Sequence, residues 1–245
     1  MKILNLIVLL FVITVNALAN ILPINNVTTG EVSALYDNYF TPAGFTFSIW
    51  SVIYLGLLVF SVYQFFSKSY NVENIGYLFV VNGLANIAWI FAWHYAYFLL
   101  TIPIMFVLLG TLIAINLRIE SCYWIVKIPF RIYLGWICVA TVANIAVYLK
   151  YLNVLPHNAS EDTWGMVLVM TAGIIGAVMS IKGWGVATLT IAWGIWGIYS
   201  KQVYMGRAEA YQYVCLAVIA AVILISMIWL VNSRRELFRS SYGKR

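Results

Sequence analysis

Asn82, Asn86, Trp89 and Trp93 follow one another at spacings of four, three and four residues. On an α-helix that spacing puts all four on one face. Carboxamides and indoles do not break bonds; they stack on flat apolar molecules and hydrogen-bond to polar edges. Two other stretches repeat the composition. Trp50, Tyr54, Leu57, Ser61 and Gln64 form one stripe, and Tyr133, Trp136, Ala140, Asn144 and Tyr148 form another. Taken singly, each amide reads as interhelical hydrogen-bond glue and each ring as packing. Taken together, three such faces read as an aromatic-walled pocket for a flat apolar ligand.

Machinery for other chemistry is missing from the sequence. There is no Ser-His-Asp set, no HExxH, no phosphate-binding loop and no pair of carboxylates inside an apolar run. No catalytic residue, metal site or required cofactor is expected. His94 ends an apolar run and reads as a solvated interfacial side chain, with an axial role to a haem iron as its alternative. His157 has no second His or Cys at metal spacing, and Lys182 reads as a topology anchor in a tight turn. Cys122, Cys138 and Cys215 lie in or beside apolar runs without CxxC spacing and read as buried thiols. The stretch Val142–Tyr148–Lys150 fits only the loose cholesterol pattern.

The elements that must position these residues follow from composition. Of 245 residues, 64% are apolar and 9% are charged. Soluble domains carry about a quarter charged residues. A soluble enzyme, a disordered chain and a free nucleic-acid binder are thereby excluded, and an all-α polytopic membrane bundle is expected. Eight spans are read: Ile3–Leu22, Phe45–Phe66, Ile75–Trp93, Tyr97–Leu117, Pro129–Leu149, Trp164–Ile181, Trp184–Ser200 and Ala210–Val231. Short connections at His94–Ala96 and Lys182–Gly183 make the helices they join antiparallel neighbours.

With a cytoplasmic N-terminus, only Lys150, Lys201 and Arg207 of the 14 basic residues fall outside. Five of the eight acidic residues fall there too: Glu31, Asp37, Glu161, Asp162 and Glu209. That asymmetry fits the positive-inside rule with both termini cytoplasmic. The first span has a rival reading as a signal peptide, with Ala17-Leu18-Ala19 as its cleavage site. Retention is favoured because apolar character continues through Ile21 and Leu22. Sequons at Asn26-Val27-Thr28 and Asn158-Ala159-Ser160 fall in outer loops. Thr171-Ala172-Gly173 with Gly176-Ala177 reads as a small face for close helix packing.

The run Pro42-Ala43-Gly44-Phe45-Thr46-Phe47-Ser48-Ile49-Trp50, with Tyr54, resembles the PPxWxFxxxWTxLY segment of the TspO/MBR family, the tryptophan-rich sensory or translocator proteins. Asn82–Trp93 resembles its QLxxNxxWxxxFF segment, with Asn86 and Trp89 in register. Tyr133-Leu134-Gly135-Trp136, then Ala140-Thr141 and Asn144, resembles its YLxWxxxATxxN segment. The order matches. The departures fall on the pocket lining: Ala43 replaces the second Pro, Asn82 the Gln, Phe91 a later Pro, and Phe47 and Trp50 are one residue closer together.

The resemblance implies a five-helix core over residues 1–152, an outer loop over 153–163, a three-helix extension over 164–232 and a basic cytoplasmic tail over 233–245. It implies a bacterial type of the family, placed in the plasma membrane. It also implies binding, sensing or transport of a tetrapyrrole such as porphyrin or haem, or of a sterol-like ligand. The implied pocket uses Trp50, Tyr54, Asn86, Trp89, Trp136, Ala140 and Asn144, and the helix faces read above add Asn82, Trp93 and Tyr133. The loop Pro23–Thr41, with Pro42 and Phe45, is its implied lid. Expected partners are the bilayer and the hydrophobic ligand, with a homodimer as an option and no nucleic acid. Two other classes stay open: a small-solute or lipid permease, and a regulatory membrane subunit without a ligand. A permease would line the added helices with polar groups such as Thr171, Ser180, Thr188, Thr190 and Ser200.

Overall fold

A computed structural model describes residues 1–154 and 160–242. The long helices are α1 (Lys2–Ile21), α3 (Ile49–Phe66), α5 (Gly76–His94), α6 (Phe98–Arg118), α7 (Trp124–Tyr151), α8 (Ser160–Ile181), α9 (Gly185–Tyr204) and α10 (Glu209–Tyr242). Two short helices, α2 (Thr29–Leu35) and α4 (Tyr70–Glu73), sit between them, with 3₁₀ turns at Ile24–Asn26 and Gly44–Ser48. The described residues contain no strand. Long apolar runs without polar backbone partners can satisfy their N–H and C=O groups only as helices, so the bundle is the expected outcome.

Seven of the long helices are apolar enough to cross a bilayer by length and composition. The exception is α9, which occupies the place of the seventh expected span. Its position explains its composition. It packs against α7, α8 and α10, and Thr188, Thr190, Gly194, Gly197 and Gln202 are buried there. A helix walled by other helices need not be made of lipid-soluble side chains. The opposite case is α10, whose apolar window is only 11% buried, against 67% for α7. The central helix is therefore α7, which touches α3, α6, α8 and α9.

Close backbone approach joins the two halves of the bundle. A Cβ added at Gly135 on α7 would collide with the backbone carbonyl of Ala187 on α9. The small face on α8 has the same role: a Cβ at Gly173 would come within 2.5 Å of Val218 on α10. The turn between α8 and α9 places Gly183 at φ +77°, a left-handed conformation that glycine adopts without strain.

Ionic and capping contacts sort the polar ends. At one end Lys2 pairs with Glu73, Arg118 donates to the Asn74 carbonyl, and Lys127 donates to the Glu120 carbonyl. At the other, Lys150 pairs with Glu161, while Lys201 and Arg207 both pair with Asp37. The basic residues expected inside and those expected outside thus gather at opposite ends.

Three expectations change. The fifth span starts earlier than Pro129, at Trp124, and Pro129 is inside α7 with its ring packed beneath Gly56 of α3. The segment expected as a tail continues the helix of α10 to Tyr242, because Ser233–Tyr242 contains no Gly or Pro to stop it. Gly243, Lys244 and Arg245, like His157 and the Asn158-Ala159 part of the second sequon, lie outside the described residues. Finally, Arg131, counted among the inner basic residues near the start of the fifth span, is 3% exposed rather than open to the inner surface.

Candidate functional site

Helices α3, α5 and α7 bring their aromatic faces to one cluster. The ring of Trp50 stacks on Tyr54 at 5.5 Å and meets Tyr133 edge-on at 5.7 Å. Trp89 and Trp136 each lie 6.2 Å from Trp50. Trp93 stacks on Trp89 at 5.6 Å. Offset and edge-to-face arrangements at such distances are the favourable ones for aromatic pairs.

The carboxamides hold this cluster in place. Asn86 accepts from Asn16 Nδ2 at 2.8 Å and donates to the Tyr133 hydroxyl at 3.1 Å. Asn144 accepts from Trp89 Nε1 at 3.0 Å and donates to the Ala140 carbonyl. Asn82 donates to Thr111 Oγ1 at 2.8 Å and to the Leu108 carbonyl. The indole of Trp93 donates to the Thr29 carbonyl. Each of these polar groups is spent on another part of the protein, as a buried amide must be. The contrast is Trp136, whose buried Nε1 has no hydrogen-bond partner among the described residues.

A cavity of about 380 Å³ opens beside the cluster, between α1 and α3. Phe47, Trp50, Ser51 and Tyr54 form one wall, and Ile13, Asn16, Ala17 and Asn20 form the other. Only Trp50 and Tyr54 of the expected pocket residues line it. Asn82, Asn86, Tyr54 and Tyr133 border a gap of about 10 Å³, too small for more than a water. Trp89, Trp93, Trp136 and Asn144 are buried in packing, and Ala140 is half-buried beside them. The expected faces converge, and the open space lies to one side of them.

No motif in the sequence marks the residues of α1, because the same run also fits a leader. Asn16 and Asn20 are four residues apart in an apolar run and so lie on one side of the helix, Asn16 buried and Asn20 exposed. Buried Asn5, Leu9, Val12, Asn16 and Ala19 turn that face towards α3 and α5.

The expected lid divides in two. Its first part forms α2, started by a capping box in which Thr28 Oγ1 accepts from the Glu31 N–H and the Glu31 carboxylate accepts from the Thr28 N–H. Hydrogen bonds from Thr28, its backbone N–H first and its side chain second, hold the Glu31 carboxyl below its ordinary pKa. The later part turns to the last helices. Phe45 packs on Trp193 of α9, Ala43 N–H donates to the Gly197 carbonyl, and Trp193 Nε1 donates to the Thr46 carbonyl. Gln202 and Tyr211 both donate to the Tyr39 carbonyl. Pro42 is buried in this seam. Thr29 of the expected lid and Phe47, three residues before Trp50, both line the cavity, and Phe47 also meets Trp136 at 5.9 Å.

His94 is a correction. It is 2% exposed rather than solvated, with Nδ1 at 2.8 Å from the Ile90 carbonyl and Nε2 at 3.5 Å from Thr29 Oγ1. Both ring nitrogens face protein oxygens, Nε2 at the longer distance. The three cysteines are free and buried, as expected. Among the described residues no group of His, Cys, Asp and Glu is arranged to hold a metal.

A family model described as TSPO-like protein matches residues 2–230. It continues well past residue 152, where the sequence motifs end, and takes in the last three helices. No curated protein and no solved structure matches the chain.

Proposed function

The chain belongs to the TSPO-like protein family, and from that premise we propose that it binds a flat, hydrophobic, tetrapyrrole-like ligand in the cavity between α1 and α3. The observation that carries this reading is the wall of Phe47, Trp50 and Tyr54, backed by Tyr133, Trp89 and Trp136. A volume of about 380 Å³ is in the range of small-molecule sites. Stacked rings reward a ligand with its own π face, which a tetrapyrrole has and a saturated sterol lacks. Amides at Asn16 and Asn20 supply polar edges on the facing wall. The unpaired Trp136 N–H adds a donor that a ligand acceptor would satisfy if Phe47 moved aside.

Binding is the step that sensing and transport share. The added helices lend no support to a separate permease path. Thr171, Thr190 and Ser200 donate to carbonyls four residues back, and Ser180 bonds to Thr188 and Ser226.

The test is a titration of the purified protein with protoporphyrin, followed by porphyrin absorbance and tryptophan fluorescence. Trp50→Ala removes the stacked ring and Ile13→Trp fills the cavity. Each should weaken binding by about tenfold or more while thermal unfolding stays near that of the parent. Trp229→Ala on α10 is the control and should bind normally. Parent-like binding by both cavity variants would reduce the aromatic cluster to packing.

A further inference from the structure

Arg131 lies in α7 with its side chain 4% exposed. Its Nη1 donates to the Gly183 carbonyl at 3.2 Å. Its Nε has no hydrogen-bond partner among the described residues. Glu120 lies 4.0 Å from Nη2, but that carboxylate is 57% exposed and spends its charge largely on water. A guanidinium carries five donors and stays charged, so burial with so little acceptor capacity calls for an anion.

Next to Arg131 runs a groove of about 330 Å³ between the α8–α9 turn, α9 and α10. Its walls are Trp124, Val186, Leu189, Met227 and Trp229, with Gly185 on its floor. Apolar walls with a buried cation at their edge match an amphiphile, not a free ion. Ser180 and Ser226 also border the groove, but their hydroxyls bond to each other at 2.6 Å. Arg131 is thus the charged side chain among the described lining residues, and it has a donor to spare. It sits at the bundle end that gathers Lys2, Arg118 and Lys127. The charge asymmetry of the sequence expects that end at the cytoplasmic leaflet, where anionic lipids concentrate.

We propose that this groove binds an anionic phospholipid, with its phosphate held by Arg131 and an acyl chain laid between α9 and α10. The site is separate from the cavity between α1 and α3, and it stands whether or not that cavity takes a porphyrin.

Native mass spectrometry of the full chain, released from micelles containing equal amounts of phosphatidylglycerol and phosphatidylcholine, tests the assignment. The parent should retain phosphatidylglycerol in preference. Arg131→Gln should lose that retention about tenfold, the consequence of losing a charge-assisted hydrogen bond. Gly185→Trp provides an independent arm if Arg131→Gln fails to fold. A Cβ at Gly185 meets nothing within 4 Å, so the indole can fill the groove without disturbing the bundle, and retention should fall as far. Equal retention of the two lipids by the parent overturns the proposal, as does unchanged retention in Gly185→Trp. Displacement of the lipid by millimolar inorganic phosphate would make the occupant a free anion and overturn it too. So would a dimer that disappears in Arg131→Gln with the lipid count unchanged, because the groove would then be filled by a second copy.

Discussion

Asn16 donates its amide to the side-chain oxygen of Asn86 at 2.8 Å, across 70 residues of chain. Asn86 passes its own N–H to Tyr133, so one line of hydrogen bonds crosses α1, α5 and α7. An amide in hydrocarbon needs such partners, because no water is there to replace them. Removing α1 would leave the Asn86 oxygen unpaired beside the aromatic cluster. We propose from this contact that α1 is retained as a member of the bundle.

Asn86→Leu should lower stability by about 1–3 kcal/mol, because it strands Asn16 and the Tyr133 hydroxyl together. Asn16→Leu should cost a similar amount. Thermal unfolding in detergent of the two single variants and the double variant measures their coupling, expected at about 1 kcal/mol. Strict additivity would mean that the bond is not made. Intact-mass analysis of the protein from membranes should also show residues 1–22 still attached.

Gly197→Ala probes the seam between the loop before α3 and the last helices. A Cβ there would collide with the Thr46 side chain, and the adjoining Gly197 carbonyl already receives the Ala43 N–H. Overpacking of this kind costs about 1–3 kcal/mol. The loss should show as a lower unfolding temperature, with weaker porphyrin binding because Phe47 follows Thr46 directly. For the same reason a chain ended near Pro156 should insert poorly or bind poorly. Normal folding and binding by that truncated chain would make the last three helices an appendage.

Topology is tested by reporter fusions after Arg239 and within residues 159–163. The two bundle ends carry opposite sets of basic residues, so the reporters should give opposite signals. Equal signals would remove α9 from the list of spans.

Acid should loosen α2 before the rest of the protein. The folded carboxyl of Glu31 titrates below its ordinary 4.5 because the Thr28 backbone N–H and hydroxyl favour its charged form. A depressed pKa gives stability that is present above the unfolded value and is lost as pH falls through the folded one. Hydrogen exchange of the α2 amides should rise as pH falls through that window, after correction for intrinsic rates. Glu31→Gln should remove the dependence. The same pH profile in Glu31→Gln would assign the fraying to another group.

Much of the architecture was legible because it depends on one-dimensional quantities. Apolar length decided which segments become long helices, and spacing decided that Asn82, Asn86, Trp89 and Trp93 share a face. Charge sorting decided which basic residues gather at which end. The aromatic faces were readable for the same reason, since a polar or aromatic stripe in an apolar helix has to turn inward. What spacing could not decide was whether three converging faces enclose a space or fill it. That depends on side-chain volumes meeting across helices, and here Trp89, Trp136 and Tyr133 fill their own interior. The open volume falls instead against α1, whose Asn16 and Asn20 were hidden by a run that also reads as a leader. Nor could a linear pattern show that Ala43 and Thr46 would rest on Gly197, or that Arg131 would be buried against the α8–α9 turn. Both follow from how closely α9 lies against α7, and contact between segments so far apart in the chain exists only once the bundle has closed.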